Sequence, residues 1–193
     1  MKLILIDGGP ASGKNTLGEL LVKKLSGLRR KAVLVDLDTY VERYNPKWVW
    51  INDEQKEHDQ LNARVDFSRD MSRYLNEGID VVAIGERLLT SEDMKNLTSK
   101  VTADCMVYLY HLNVPFTLRE KRLHARGPHS LIDLENDQRD RDVIKEWPGY
   151  VYANTHSPED DAENMFSLIQ QDKGLIESLK KSEQERVMPR LIK

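Results

Sequence analysis

The chain has 193 residues, enough for one domain of ordinary size. Its 29 basic and 32 acidic residues give a net charge of −3, which argues against binding nucleic acid or an anionic membrane by bulk charge alone. The one cysteine, Cys105, lies in an apolar run, which indicates a buried thiol in a reducing compartment. No apolar stretch is long enough for a membrane helix or a signal peptide, so we expect a cytoplasmic protein.

Short apolar runs alternate with longer amphipathic stretches, which is typical of strands and helices in a parallel α/β sheet. The runs are almost continuously hydrophobic, as expected where helices cover both faces of the sheet. We therefore predict a single three-layer α/β/α domain over residues 1–193. The predicted strands are Lys2 to Ile6, Ala32 to Val35, Ile79 to Ile84, Cys105 to Tyr110 and Tyr150 to Ala153. The predicted helices are Lys14 to Leu25, Glu54 to Asn76, Glu92 to Lys100, Pro115 to Arg126 and Pro158 to Gln170, with a frayed helix around Leu175 to Glu185.

A glycine-rich loop joins the first predicted strand to the first helix. Gly8, four residues and then Gly13-Lys14 have the spacing of a P-loop, in which backbone N–H groups converge on phosphate oxygens and the lysine reaches the β- and γ-phosphates. A turn that only connects strand to helix is the alternative. The predicted nucleotide-binding residues of this loop are Gly8, Gly9, Pro10, Ala11, Ser12, Gly13, Lys14, Asn15 and Thr16.

Position 15 departs from the usual form of the motif. A Ser or Thr normally follows the lysine and binds Mg²⁺, whereas this chain has Asn15 followed by Thr16. The Mg²⁺ ligand is therefore either the Thr16 hydroxyl or a water molecule held by Asn15. We favour Thr16, because a hydroxyl binds magnesium and phosphate in less space than an amide.

Two acidic residues, Asp36 and Asp38, stand at the end of the second predicted strand. Phosphorylation of an alcohol needs a carboxylate that orients the hydroxyl and accepts its proton, and ligands of open α/β sheets bind at the carboxyl ends of strands. We predict Asp38 as this base, with Asp36 as the second choice. The alternative is that Asp38 only caps a following turn.

Residues 38–76 form the predicted acceptor-binding region, which begins with an aromatic segment. Aromatic faces stack on nucleobases, so the segment favours a flat heterocyclic acceptor, and nearby basic residues are suited to an acceptor phosphate. A satellite core under a loop is the alternative. The candidate residues are Tyr40, Arg43, Tyr44, Trp48, Trp50 and Arg64.

Glu86 and Arg87 follow the third predicted strand. We predict that Glu86 holds magnesium-bound water and that Arg87 binds the acceptor, with a surface ion pair as the alternative.

After the fourth strand, Arg122 and Arg126 lie four residues apart and so share one helix face. Residues 127–142 form a short predicted lid, where arginines neutralise charge during transfer and closure excludes water.

Arg126 and Arg139 are the predicted catalytic arginines of this lid region. Residues 139–142 alternate in sign, so a helix that forms its own salt bridges is the alternative.

The run Gly-Gly-Pro-Ala-Ser-Gly-Lys-Asn-Thr and these later motifs resemble the P-loop kinases over almost the whole chain. Similar families are the nucleoside monophosphate kinases, the uridine kinase-like enzymes, and the zeta-toxin and polynucleotide-kinase-like phosphotransferases. The resemblance implies a five-stranded parallel sheet with the phosphate loop at its carboxyl edge and a short helical lid. It also implies that an aspartate after strand two is the base, and that Arg122 and Arg126 cover the adenine and the phosphates.

We therefore expect a kinase that transfers the γ-phosphate of ATP, with Mg²⁺, to a hydroxyl of a small acceptor. The acceptor is expected to be a nucleoside, a nucleotide, or a modified base or sugar hydroxyl within nucleic acid. A nucleoside monophosphate kinase is the second hypothesis. A nucleotide-dependent switch or assembly ATPase is the alternative of another class, although such proteins usually have Ser or Thr where this chain has Asn15. Lys14 argues against an inert binding module.

Overall fold

The computed structural model describes residues 1–27, 31–127 and 133–180. The strands in these ranges are β1 (Lys2–Gly8), β2 (Ala32–Asp36), β3 (Asp80–Ile84), β4 (Cys105–Asn113), β5 (Tyr150–Ala153) and β6 (Leu175–Leu179). The helices are α1 (Lys14–Gly27), α2 (Leu37–Tyr44), α3 (Asp53–Asn76), α4 (Ser91–Thr98), α5 (Phe116–His124), α6 (Leu134–Asp142) and α7 (Pro158–Gln170). Five strands form a parallel sheet in the order β2-β3-β1-β4-β5, and β6 pairs antiparallel with β4.

Both faces of the sheet are covered. Successive side chains of a strand point to opposite faces, so on β1 Leu3 and Leu5 join one core cluster and Ile4 and Ile6 join the other. Helices α2, α3 and α4 pack on the first face, while α1 and α7 pack on the second. The predicted three-layer α/β/α arrangement and its five parallel strands are confirmed.

The frayed helix predicted around Leu175 to Glu185 is wrong where the structure describes it. Leu175–Leu179 forms β6, whose Leu179 pairs with Cys105 on β4. β5 pairs only with the last part of β4, from Tyr110 onward, so the first part has an edge available for β6. A short apolar run such as this one fits a strand as well as a helix. Residues 181–185 lie outside the described residues.

One helix, α2, was not predicted, and α6 was expected only as part of the short helical lid, without bounds of its own. α2 begins directly after β2, because the Asp36 side chain caps it by accepting a hydrogen bond from the backbone N–H of Asp38. α6 begins at Leu134, where Asp133 accepts a hydrogen bond from the backbone N–H of Asn136 at 2.8 Å. This helix occupies most of the predicted lid, whose residues 128–132 lie outside the described residues.

The parallel arrangement brings the carboxyl ends of the five parallel strands to one edge of the sheet. The loop after β1, the start of α2 after β2, and the Glu86-Arg87 pair after β3 therefore meet there. Ligands of open α/β sheets bind at this edge. Within the three described ranges, no helix is both long and apolar enough to cross a membrane.

Candidate active site

In the loop between β1 and α1, the Lys14 side chain folds back onto the loop's own backbone. Gly13 has a φ of 94°, a conformation that favours glycine. The Lys14 ammonium donates to the carbonyl oxygens of Gly8 at 2.7 Å and Gly9 at 3.2 Å. The Ser12 hydroxyl is buried without a hydrogen-bond partner in the described part of the chain. Because a buried unpartnered hydroxyl is costly, this loop fits a ligand that brings oxygen atoms to it.

Lys14 is affected by burial as well as by its neighbours. Burial lowers the pKa of the Lys14 ammonium, and the negative charges of Asp7 and Asp38 partly counteract this. The ammonium bonds only to carbonyl oxygens here. A phosphate beside Lys14 would supply the opposite charge that favours its protonated form.

One cavity of about 330 Å³, which we call the loop cavity, joins the P-loop to the ends of β2 and β3. It collects residues that the sequence assigns to phosphate binding, to the base, to the metal and to the acceptor. Among its lining residues are Lys14, Asn15, Asp36, Asp38, Glu86, Arg87, Arg126 and Arg141.

The two aspartates after β2 have different surroundings. Asp36 Oδ1 accepts from the Asp38 backbone N–H at 3.1 Å, and Asp36 Oδ2 accepts from the Asn15 amide at 2.8 Å. No described group donates to the Asp38 carboxylate. Partial burial and the neighbouring Asp36 raise the pKa of Asp38, whereas Lys14 lowers it. Asp38 is therefore the aspartate whose oxygens are available for a hydroxyl.

A second cavity of about 300 Å³, which we call the side cavity, lies next to the P-loop. Its lining includes Thr16, Arg122, Arg126, Asn154 and His156. The two predicted magnesium ligands, Thr16 and Glu86, therefore line different cavities, and Asn15 rather than Thr16 faces Asp36. This separation follows from the helix, in which successive residues point in different directions.

Arg122 and Arg126, which were expected to share one helix face, approach the P-loop differently, because α5 ends at His124 and Arg126 follows it. Arg122 donates to the carbonyl oxygens of Ser12 at 3.3 Å and Asn154 at 3.4 Å, so it braces the back of the loop. Arg126 lines both the loop cavity and the side cavity and is exposed. Within the described residues Arg126 forms no ion pair, so its guanidinium is available to a ligand.

The arginine that α6 brings to the loop cavity is Arg141, not the predicted Arg139. Arg141 binds the Asp7 carboxylate with both guanidinium ends, at 2.8 and 3.1 Å. Arg139 donates to Asn136 on its own helix at 3.1 Å and does not line the cavity. Residues two apart in a helix lie on different faces, so only one of the pair can face inward.

Asp7 is the centre of a charged network that the sequence reasoning missed. His111 Nδ1 lies 2.9 Å from Asp7 Oδ2, the oxygen that also accepts from Arg141 Nη1. Arg141 also reaches Asp137, which in turn accepts from the buried Arg119 at 2.7 Å. A Cβ at Gly9 would collide with this Arg119–Asp137 pair, so the P-loop packs directly against it.

The spacing on α6 was the available signal for this network. Leu134, Asp137, Gln138 and Arg141 follow the i, i+3, i+4, i+7 pattern of one helix face. His111 and Asp7 carried no such local signal, because they come from different strands.

The predicted acceptor aromatics mostly lie in the core. Tyr40 is 4% exposed, and its hydroxyl donates to Asp70 at 2.9 Å. Trp48 and Trp50 pack against the core and contact each other edge to face, with ring centroids 5.9 Å apart. We expected these rings to stack on an acceptor, but none lines the loop cavity. They form the satellite core that was the alternative, because each ring has apolar side chains available to cover it.

The remaining acceptor candidates divide between ion pairs and the surface. Arg64 lies 3.1 Å from Glu86, and Arg87 lies 2.8 Å from Asp140 on α6, so Glu86 and Arg87 reach the cavity while paired. Two others stay on α2: Arg43 lies over the Tyr40 ring at 4.0 Å, and the Tyr44 hydroxyl donates to Asp66 at 2.8 Å.

Cys105 is not part of the site. Its side chain is buried, and burial raises the pKa of its thiol to about 11. A thiol with so high a pKa is not a nucleophile at neutral pH.

Comparison with known proteins gives matches of structure but not of sequence. No protein-family model matches the chain, and no curated protein matches it. A sugar kinase from Janibacter sp. HTCC2649 matches with a TM-score of 0.62 and 15% identity over 88% of this chain and 95% of that one. An APS kinase from Mycobacterium tuberculosis, solved with AMPPNP and APS, matches with a TM-score of 0.57 and 14% identity, over 88% and 97% of the two chains.

A shikimate kinase from Aquifex aeolicus matches with a TM-score of 0.54 and 17% identity over 89% of this chain and 98% of that one. At these identities the likeness establishes the fold. The resemblance to P-loop kinases that the sequence predicted is therefore confirmed at the level of the fold.

Proposed function

We propose that this protein is a kinase that transfers the γ-phosphate of ATP to a hydroxyl group of a small acceptor. The proposal rests on the loop cavity, which Lys14 of the P-loop and Asp38 both line. No described group donates a hydrogen bond to the Asp38 carboxylate. The sugar kinase and the shikimate kinase that share the fold support a small acceptor with hydroxyl groups.

The triphosphate binds along the P-loop in this proposal. Backbone N–H groups, the Lys14 ammonium and the unpartnered Ser12 hydroxyl receive the phosphate oxygens. The adenine ring then lies in the side cavity, beside Thr16 and Asn154. The neighbour solved with AMPPNP supports ATP as the nucleotide.

The acidic wall of the loop cavity fits a magnesium ion. In the described ranges, no group of three or more His, Cys, Asp or Glu residues could hold a metal by itself. This fits Mg²⁺, which uses one or two carboxylates together with substrate phosphates and water. We propose that Asp36 with its partner Asn15 holds magnesium-bound water, and that Glu86 does so across the cavity. The bound ion would neutralise charge on the phosphate oxygens.

Transfer then needs one proton acceptor and several cations. The acceptor oxygen bonds to the γ-phosphorus while the bond from that phosphorus to the β–γ bridging oxygen breaks, and ADP leaves. Asp38 orients the hydroxyl and takes its proton, for which its raised pKa is suited. Lys14, Arg126 and Arg141 neutralise charge on the phosphoryl oxygens.

Replacement of the proposed base tests this function. A panel of nucleosides, sugars and hydroxymethylated oligonucleotides with labelled ATP would identify the acceptor. With that acceptor, Asp38→Asn should lower kcat about 100-fold or more, because general-base catalysis contributes at least that much, while ATP binding persists. Glu57→Gln, an exposed change on α3, is the control and should keep wild-type turnover. Full turnover by Asp38→Asn would contradict the assignment.

A phosphate acceptor is the second candidate, favoured by Arg87. This guanidinium lines the loop cavity, and arginine suits the geometry of a phosphate. A nucleoside monophosphate would then be converted to a diphosphate. Chromatography of products from monophosphates in the same panel distinguishes the two acceptors.

A further inference from the structure

A third cavity, which we call the lid cavity, is lined by α6, by the loop after that helix and by the strands β4 and β5. Its volume is about 270 Å³, and ligand pockets start at roughly 300 Å³, so it suits a small molecule. It shares one described lining residue, Arg141, with the loop cavity and none with the side cavity. The proposed function therefore leaves this space without a role.

Part of the lid cavity is apolar. Trp147, in the loop after α6, is half-buried and contacts the His111 ring, with the ring centroids 4.6 Å apart. A ring or a branched alkyl group bound here would leave water and cover apolar side chains, which favours binding. The apolar lining residues are Leu112, Val114, Ile144, Trp147 and Val151.

Two arginines also line the lid cavity, while their carboxylate partners line the loop cavity instead. Arg119 donates to Asp137 at 2.7 Å, and Arg141 donates to Asp7 at 2.8 and 3.1 Å. Asp137 and Asp7 belong to the lining of the loop cavity and not to that of the lid cavity. The carboxylate that does line the lid cavity, Asp142, is exposed. Two arginines against one exposed carboxylate favour an anionic ligand.

Arg119 also has a donor that the protein does not use. The residue is 2% exposed, and its two terminal nitrogens donate to Asp137 and to the Gln138 side chain. Its Nε is buried, and no described group accepts from it. A buried donor without a partner is costly, so an oxygen atom supplied by a ligand would be stabilising. A carboxylate oxygen forms the stronger, charge-assisted bond.

We propose that the lid cavity is a second ligand site, which binds a small carboxylate with an apolar body. Titration calorimetry of the full-length protein with benzoate and with isovalerate tests this, because one has a flat ring and the other a branched alkyl group. At least one should bind with a Kd of about 1 mM or lower. The matching alcohol, benzyl alcohol or 3-methylbutanol, should bind at least about tenfold more weakly, since it forms no charge-assisted bond. Saturating ADP should leave the carboxylate affinity unchanged.

Two tryptophan substitutions locate the site. Ile144→Trp fills the cavity and should abolish measurable binding. Val143→Trp is the matched control and should keep the wild-type affinity, because Val143 is 73% exposed and does not line the cavity. Val151→Phe, at a lining residue that is 44% exposed, replaces Ile144→Trp if that variant does not fold. Arg119→Lys keeps the charge but lacks Nε, so it should weaken carboxylate binding about tenfold and leave alcohol binding unchanged.

Three results would overturn this site and leave the kinase proposal standing. The first is no binding of either carboxylate by the wild type. The second is wild-type affinity in the cavity-filling variant. The third is loss of carboxylate binding when ADP is added, which would place the carboxylate at the P-loop.

Discussion

Asp7 is buried at the end of β1, where its carboxylate contacts Arg141 and His111 beside the P-loop. Burial by itself would raise the pKa of Asp7, but its bonds to His111 and Arg141 hold that pKa well below the usual range for aspartate. Both oxygens of Asp7 contact Arg141, so the position of that arginine at the cavity wall depends on Asp7.

Loss of the Asp7 charge should destabilise the protein strongly. Asp7→Asn removes the anion that Arg141 binds with both guanidinium ends and leaves that arginine paired only with Asp137, so we expect the free energy of unfolding at pH 7 to fall by about 3–5 kcal/mol. Because the folded pKa of Asp7 is depressed, its charge stabilises the fold fully above the unfolded pKa of about 4 and progressively less below it. The difference between wild type and Asp7→Asn should therefore narrow as the pH falls below about 4.

Urea denaturation of both proteins between pH 3 and pH 8 measures this difference. Glu120→Gln, an exposed change on α5, serves as the control and should match the wild type within about 0.5 kcal/mol. A constant difference across the whole pH range would contradict the ionised state assigned to Asp7.

At the scale of elements, α6 is held against the P-loop mainly by charge. Leu134 is the buried residue of this helix, while Asp137 bonds Arg119 of α5 and Arg141 of its own turn. Gly9 provides the close approach between the loop and this ion pair. The close packing of α6 against the loop therefore depends on glycine, which has no Cβ, at position 9.

Gly9→Ala should loosen α6. Its methyl group would collide with Arg119 and Asp137, so we expect a loss of about 1–3 kcal/mol in the free energy of unfolding, as for other overpacked sites. Amide hydrogen exchange across α6 should also become faster. Gly27→Ala is the matched control, since nothing lies within 4 Å of a Cβ there. Unchanged exchange in α6 of Gly9→Ala would show that the loop does not brace this helix.

Most of the elements that the sequence predicted have an apolar pattern. The strands β1, β3 and β4 were recognisable because both of their faces are buried, and α1, α3 and α7 because each has a regular buried stripe. α6 has no such stripe. α2 had a signal that was not used, namely the cap at Asp36 followed by Leu37, Tyr40 and Val41 at helical spacing.

For the molecule as a whole, topology determines which part of the site could be predicted. Lys14, Asp38 and Glu86 follow strand ends, and parallel strands bring such ends to one edge of the sheet. The Asp7–His111–Arg141 network depends on contacts between residues more than 100 positions apart for two of its pairs. Hydrophobic periodicity does not report such contacts.

The aromatic segment lies away from the loop cavity, and the sequence could not show this for a related reason. Aromatic side chains serve equally well in a core and on a ligand, and only the three-dimensional neighbours of Tyr40 and Trp50 decide between the two. The loop cavity is therefore lined by charged residues that the sequence singled out, among them Asp38, Glu86 and Arg87, and not by these aromatic rings.

The central claim is that this protein transfers phosphate to an acceptor rather than to water. Phosphorus NMR of ATP incubated with the protein and Mg²⁺, with and without the acceptor panel, tests it most directly. We expect ADP to form at an appreciable rate only with an acceptor, together with an equal amount of a new phosphate ester. Equal release of inorganic phosphate with and without acceptors would contradict the account and favour a nucleotide-dependent switch or assembly ATPase.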